Sequence, residues 1–239
     1  MKELILQLKE NVEFVLVAVA IIAALIFLAK LTERFLPAMR KTTVARRVSI
    51  VGVCSAIAAV LHMLDFPLLF IAPSFYKLDF SELPVMLCGF YLGPSAAVVC
   101  EGVKILLKLL LKGTSTAFVG DFANFVVGCS LVFPATAIYH IKKSRASAIV
   151  GLVIGTIVLT IFGSAFNGIY LLPKFSQLFG LPLESIIAMG GKIHKGITSV
   201  TTFVLLAVAP LNLLKGGVIS LLTMLLYKRV ARPLFGIKE

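Results

Sequence analysis

Long apolar runs recur along the whole chain: residues 14–29, 48–64, 80–92, 95–111, 122–141, 148–172 and 198–227. Runs of about 20 residues match the roughly 30 Å hydrocarbon core of a bilayer at about 1.5 Å per helical residue. The third run is short for a crossing and stops at Gly93-Pro94, which predicts a tilted helix partly shielded by its neighbours. The last is too long for one straight crossing, and Pro210 predicts a break. Residues 198–209 then form a separate helical or re-entrant piece and 210–227 the final span. Seven spans result, an extra N-terminal one added to a six-helix body, in an all-α membrane protein. Residues 1–47 carry the extra helix and a basic linker, 48–229 the six-helix membrane domain, and 230–239 a tail. Ahead of the first run, 4–8 reads as a short amphipathic stretch. The charge-balanced start and Lys30-Leu-Thr-Glu-Arg34 after the run predict a retained helix rather than a cleaved signal peptide. Residues 65–79, with Pro67, Pro73 and several aromatics, predict an ordered loop.

Composition settles the solvent. Hydrophobic residues make up 59% and charged residues 14%, with a mean hydropathy of +1.05, whereas a soluble domain has about half and about a quarter. Lipid must therefore cover the surplus. Lys+Arg number 23 against 11 Asp+Glu, but the cations cluster beside apolar runs, which favours orientation by the positive-inside rule over nucleic-acid binding. With seven crossings the clusters at 30–47, 142–145 and 228–232 share one side. That side reads as the cytoplasm of a cell-membrane protein, leaving the N-terminus outside and the C-terminus inside. Cys54, Cys88, Cys100 and Cys129 lie within apolar runs without CxxC spacing and read as small buried hydrophobes. The scattered His62, His140 and His194 predict no metal site. P-loop, HExxH and GxSxG patterns are missing, so an enzyme is not expected and ATP hydrolysis belongs to partners.

Polar side chains inside spans normally face a bundle interior or a cavity. Under this topology Asn124, Asn167, Asn212, Lys215, Asp79, Lys104, Lys108 and Lys112 come to the outer level, with Glu101 nearer the middle. They describe a pocket open to the outside. An amide donates and accepts at once, which suits a heterocycle edged by carbonyls and ring nitrogens. Phe66, Phe70, Phe75, Tyr76 and Phe80 offer cover for a flat ring. Other readings stay open. Asp79 and Glu82 form a capping box or meet the ligand; Asn124 and Asn167 bridge helices or bind; Glu101 and Lys104 neutralise each other or reach the ligand; Lys112 snorkels. Lys215 has no acid within a turn. On the second span, Gly52, Ala56, Ala59 and Val60 form a small-residue face for internal packing or for another membrane subunit.

The combination Tyr76-Lys-Leu-Asp-Phe-Ser-Glu-Leu-Pro84, Gly89-Phe-Tyr-Leu-Gly-Pro94, Glu101-Gly-Val-Lys-Ile-Leu-Leu-Lys108, Gly120-Asp-Phe-Ala-Asn-Phe-Val-Val-Gly128 and Ala209-Pro-Leu-Asn-Leu-Leu-Lys-Gly216 resembles the riboflavin-specific substrate-binding (S) subunits of energy-coupling factor (ECF) transporters. The likeness spans about 49–229. It implies a six-helix subunit that captures riboflavin outside. Such a subunit joins a transmembrane scaffold and two cytoplasmic ATPases, and topples in the membrane to release the vitamin. It further implies that Asn124, Asn167, Asn212 and Lys215 hold the flavin's polar edge and ribityl chain. Tyr76, Leu78, Asp79 and Phe80 would line or close the lid, and Gly52, Ala56, Ala59 and Val60 would meet the scaffold. Riboflavin is expected as transported ligand rather than cofactor. Flavin mononucleotide (FMN) stays open through Lys104 and Lys108, as do another vitamin and a membrane enzyme or scaffold without a soluble ligand. The N-terminal 1–47 is extra to the family pattern.

Overall fold

The structure, a computed structural model, describes residues 12–37, 39 and 42–235; the amphipathic reading of 4–8 lies outside them. The chain forms α1 (Val12–Glu33), α2 (Val44–Met63), a hairpin of β1 (Phe66–Pro67) and β2 (Lys77–Leu78), α3 (Glu82–Leu92) and α4 (Pro94–Lys112). It continues through α5 (Val119–Ile141), α6 (Arg145–Phe166), α7 (Leu172–Phe179), α8 (Leu183–Gly191), α9 (Val200–Phe203) and α10 (Ala209–Phe235). α10 thus takes up most of what reads as a tail from sequence. Five helical stretches among the described residues are long and apolar enough to cross a membrane: Leu16–Glu33, Val44–Met63, Val119–Ile141, Arg145–Phe179 and Val200–Tyr227.

α3 has only 11 residues, and all but Leu83 are buried. At about 1.5 Å per residue it is far shorter than the bilayer, and its neighbours wrap it, as its length requires. Phe90 of α3 stacks on Tyr139 at 4.4 Å, and Tyr139 meets the Tyr227 hydroxyl at 3.3 Å, tying α3, α5 and α10 together. Gly93 turns the chain from α3 into α4 at φ +115°, where a side chain would strike Met39 and Glu33; Pro94 then opens α4.

α6 packs tightly on α5. A Cβ on Gly151 would stand 2.5 Å from the Ala135 carbonyl oxygen, and one on Gly155 2.6 Å from that of Leu131. These glycines, four apart, form a GxxxG face that brings backbones together without relying on a water-driven force.

One expectation needs correction. Pro210 does not break the last helix: Val200–Tyr227 is continuous. Likewise α6 continues through the π turn Asn167–Leu171 into α7, past Pro173 to Phe179, and α8 follows. In both places a π turn precedes the proline, Asn167–Leu171 before Pro173 and Val204–Val208 before Pro210. A helix proline clashes with the carbonyl four residues back; here those residues, Ile169 and Leu206, sit inside the π turns, where the wider winding removes the conflict. The two π turns pack against each other.

Candidate ligand-binding site

Beside the paired π turns lies a cavity of about 240 Å³, just below the usual range of small-molecule sites, which begins at about 300 Å³. Its inner wall carries Asn124 of α5, Asn167 of the first π turn, and Asn212 and Lys215 of α10. The hairpin contributes Tyr76, Leu78 and Asp79 as its cover. Apolar surface comes from Val127, Leu171, Phe175, Val208 and Leu211. The π turns explain the placement: each adds a residue to its turn and so redirects the side chains that follow toward the space between helices.

The cover is anchored. Tyr76 donates from its hydroxyl to Asn167 Oδ1 at 2.9 Å, while Asn167 Nδ2 donates to the Gly163 carbonyl at 2.7 Å. Burial pushes the Tyr76 phenol well above its ordinary range, so it stays a donor. Ala72, Tyr76 and Leu78 pack on Leu172, Ile186, Ile197 and Phe203, making the hairpin, α8 and α9 one apolar unit. At the exposed edge Lys77 pairs with Asp65 at 3.2 Å, and Lys112 lies 3.8 Å from the same carboxylate.

Beneath the hairpin sits a buried ion network. Lys215 Nζ reaches Glu82 Oε1 at 2.9 Å and Asp79 Oδ2 at 3.3 Å. Lys104 donates to Ser81 Oγ at 2.9 Å, pairs with Glu101 and lies 3.4 Å from Glu82. His62 Nδ1 stands 3.4 Å from Asp79 Oδ2. Burial alone would raise the Asp79 carboxyl, but the Lys215, His62 and Lys104 charges hold it well below its ordinary value. The acids that sequence proximity could not supply to Lys215 thus come from the hairpin and α3.

The expected site therefore divides. Tyr76, Leu78, Asp79, Asn124, Asn167, Asn212 and Lys215 line the cavity. Glu101 and Lys104 do not; both are fully buried and mutually paired, with Gly128 leaving room for the Glu101 carboxylate. Phe80 also stays outside, its ring tilted against that of Phe66 with centroids 5.9 Å apart, between the hairpin and the core. Asp79 and Glu82 form no capping box: Asp79 Oδ1 accepts from the Ser81 amide at 2.8 Å, and Glu82 turns to the lysines. On α2, Gly52, Ala56 and Val60 point outward, but Ala59 is 1% exposed and packs inward. The i, i+4 spacing aligns Gly52, Ala56 and Val60, leaving Ala59 with Ser55 on the adjoining face.

Sequence reasoning missed Asp121, Thr116, Phe175, Val208 and Leu211 as cavity residues. Lys108 pairs with Asp121 at 2.5 Å and with the Gly113 carbonyl at 2.9 Å, closing the wall where α4 meets α5. The preceding turn holds Ala117 and Phe118 at φ +46° and +69°, an uncommon conformation for non-glycine residues. Thr114 Oγ1 accepts from the Thr116 and Phe118 amides and fixes that turn. The amphipathic alternation of 172–179 could have revealed Phe175; nothing local marks Val208 or Leu211.

One observation singles out the ligand face. Asn212 Nδ2 is buried without a hydrogen-bond partner, and Asn124 makes no side-chain hydrogen bond among the described residues. Buried amides normally have partners, so the Asn212 donor is offered to something the protein does not supply, with the half-buried Asn124 amide lining the same cavity.

A model of the family described as ECF transporter, substrate-specific component, matches residues 46–227. The chain belongs to this family. It is 39% identical over 186 residues to the riboflavin transporter RibU of Staphylococcus aureus (strain TCH60), covering 78% of this chain and 90% of that protein. It is 28% identical over 183 residues to the riboflavin transporter FmnP of Bacillus subtilis (strain 168), covering 76% and 90%. A solved structure described as "Structure and mechanism of the S component of a bacterial ECF transporter" superposes with a TM-score of 0.62 at 38% identity, over 80% of this chain and 99% of that one. The chain is therefore a multi-pass membrane S component with a transport role. α1 lies ahead of the matched region.

Proposed function

We propose that this S component captures riboflavin from outside the cell and delivers it inward when joined to an energising module of a membrane scaffold and two cytoplasmic ATPases. The observation that carries the reading is the meeting of Asn124, Asn167, Asn212 and Lys215 in one covered cavity, in a chain similar to riboflavin transporters. Amides bind the alternating donors and acceptors of the isoalloxazine edge, and the apolar wall takes its dimethylbenzene end. Riboflavin is favoured over its monophosphate because Lys108 is matched by Asp121 and Lys112 faces Asp65, leaving little free positive charge for a phosphate. The basic loop after α1 and the cations near Lys142 put those ends of the bundle in the cytoplasm by the positive-inside rule. The N-terminus is then outside and the C-terminus inside. The outward face of Gly52, Ala56 and Val60 is where the scaffold meets α2.

Protein purified from flavin-fed cells should be yellow, and riboflavin should be quenched on titration into the stripped protein. A colourless protein that quenches neither riboflavin nor FMN overturns the reading. Tight quenching by FMN alone overturns the choice of ligand.

A further inference from the structure

At the end of the bundle opposite the ligand cavity lies a second concavity, of about 930 Å³, between α1, α2 and α4. α4 spans both: Lys108 and Lys112 line the first, Ser95, Ala96 and Val99 the second. Its walls are apolar, from Val48 and Val51 of α2 and Val99 and Val103 of α4. Its rim carries Lys30, Arg34 and Arg47 against one acid, Glu33. That acid is engaged. Glu33 Oε1 accepts from the Ser95 amide at 2.9 Å and lies 3.6 Å from Arg47, which also donates to Ser95 Oγ at 2.6 Å. Lys30 and Arg34 have no ion pair among the described residues, so two cations stand uncompensated beside an apolar slot. The slot opens sideways: α1 packs on α4 and α5, and a Cβ on Gly52 would meet nothing within 4 Å.

We propose that this cleft is a binding site for one anionic phospholipid. Its phosphate is held by Lys30 and Arg34, with Arg47 behind them, and an acyl chain lies along Val51, Val99 and Val103. Basic recesses between membrane helices suit anionic headgroups, and only a lipid joins a phosphate to a long apolar chain at this depth. The rim lies at the basic end of the bundle, where cytoplasmic-leaflet anionic lipids reside. Lys30 in the last turn of α1 and Arg34 directly after it supply both free cations, which gives the helix outside the family match a function. The inference rests on this cleft and not on the flavin reading, since its test reads lipid alone.

The test is native mass spectrometry of the full chain equilibrated with phosphatidylglycerol and phosphatidylcholine of identical acyl chains. The wild type should retain one phosphatidylglycerol in preference. Lys30→Ala with Arg34→Ala removes cations that hold nothing in the fold, and should cut that preference by about fivefold per charge. Gly52→Leu, which fills open space without altering charge, should lower retention of both lipids. Equal retention by the wild type, or a preference that survives the double substitution, overturns the proposal. So does displacement of the lipid by excess inorganic phosphate, which would mark a soluble-anion site. A photoreactive side chain at Val51 that links to a polypeptide and no phospholipid in native membranes would place a partner helix there instead.

Discussion

Asn212 and Lys215 share one face of α10 and line one cavity, yet their removal should read out differently. Asn212 Nδ2 has no protein partner, so Asn212→Ala should leave thermal stability close to wild type while weakening riboflavin by about 1–3 kcal/mol; fluorescence titration alongside melting separates the two effects. Lys215 is bonded to Asp79 and Glu82. Lys215→Met strands part of that acidic charge in the interior and should destabilise by about 3–5 kcal/mol, visible as a lower melting temperature of the flavin-free protein. Asp79 adds a pH dependence. Its carboxyl is held well below its ordinary value against burial by Lys215, His62 and Lys104. A depressed group contributes stability above its unfolded pKa, about 3.9, and loses it as pH falls through the folded value. Melting temperatures should therefore drop on acidification below about pH 4, and less so in Asp79→Asn. An equal acid limb in both proteins would exclude Asp79 as its source.

Among elements, the paired π turns decide whether α6 and α10 aim their polar residues into the cavity. Pro210 follows the second turn, and its clash with the carbonyl of Leu206 is what an ordinary α-turn could not accept. Pro210→Ala lifts that requirement. The turn should relax toward α geometry and rotate Val208, Leu211 and Asn212 relative to the rest of the wall. Affinity should fall by at least about tenfold, near 1.4 kcal/mol, without loss of melting temperature; unchanged affinity would show that the turn is held by packing rather than by proline. Gly151 is an opposite case, since its role is packing alone. Gly151→Ala sets a Cβ against the Ala135 carbonyl and should cost about 1–3 kcal/mol of stability, leaving affinity per folded molecule unaltered.

At the scale of the whole molecule the bundle works from two ends. The ligand cavity and its hairpin occupy one, the basic cleft the other, and α1 touches only the second. α1 packs through Ile22, Leu25, Ile26 and Ala29 against Val98, Ile105, Phe125 and Cys129, away from the cavity. A chain lacking α1 should therefore bind riboflavin within about twofold of the full chain, as independent sites do. A larger change would mean that α1 communicates with the cavity through α4.

Periodicity and charge determine much here on their own. Near-continuous apolar runs admit only membrane helices, because backbone groups must be satisfied within each span. Gly93-Pro94 marks its turn because φ +115° there excludes a side chain. The in-span amides announce a cavity, because lipid penalises them. Three-dimensional packing decided the rest. Whether Lys104 or Lys215 faces the ligand depends on which acids come near, and those acids lie on other elements. Asp121, Val208 and Leu211 reach the cavity through helix rotation, which no local pattern encodes. Pro210 reads as a break because a proline in isolation is one; the π turn that lets the helix run on past it, by giving the Leu206 carbonyl room, shows only in the folded backbone.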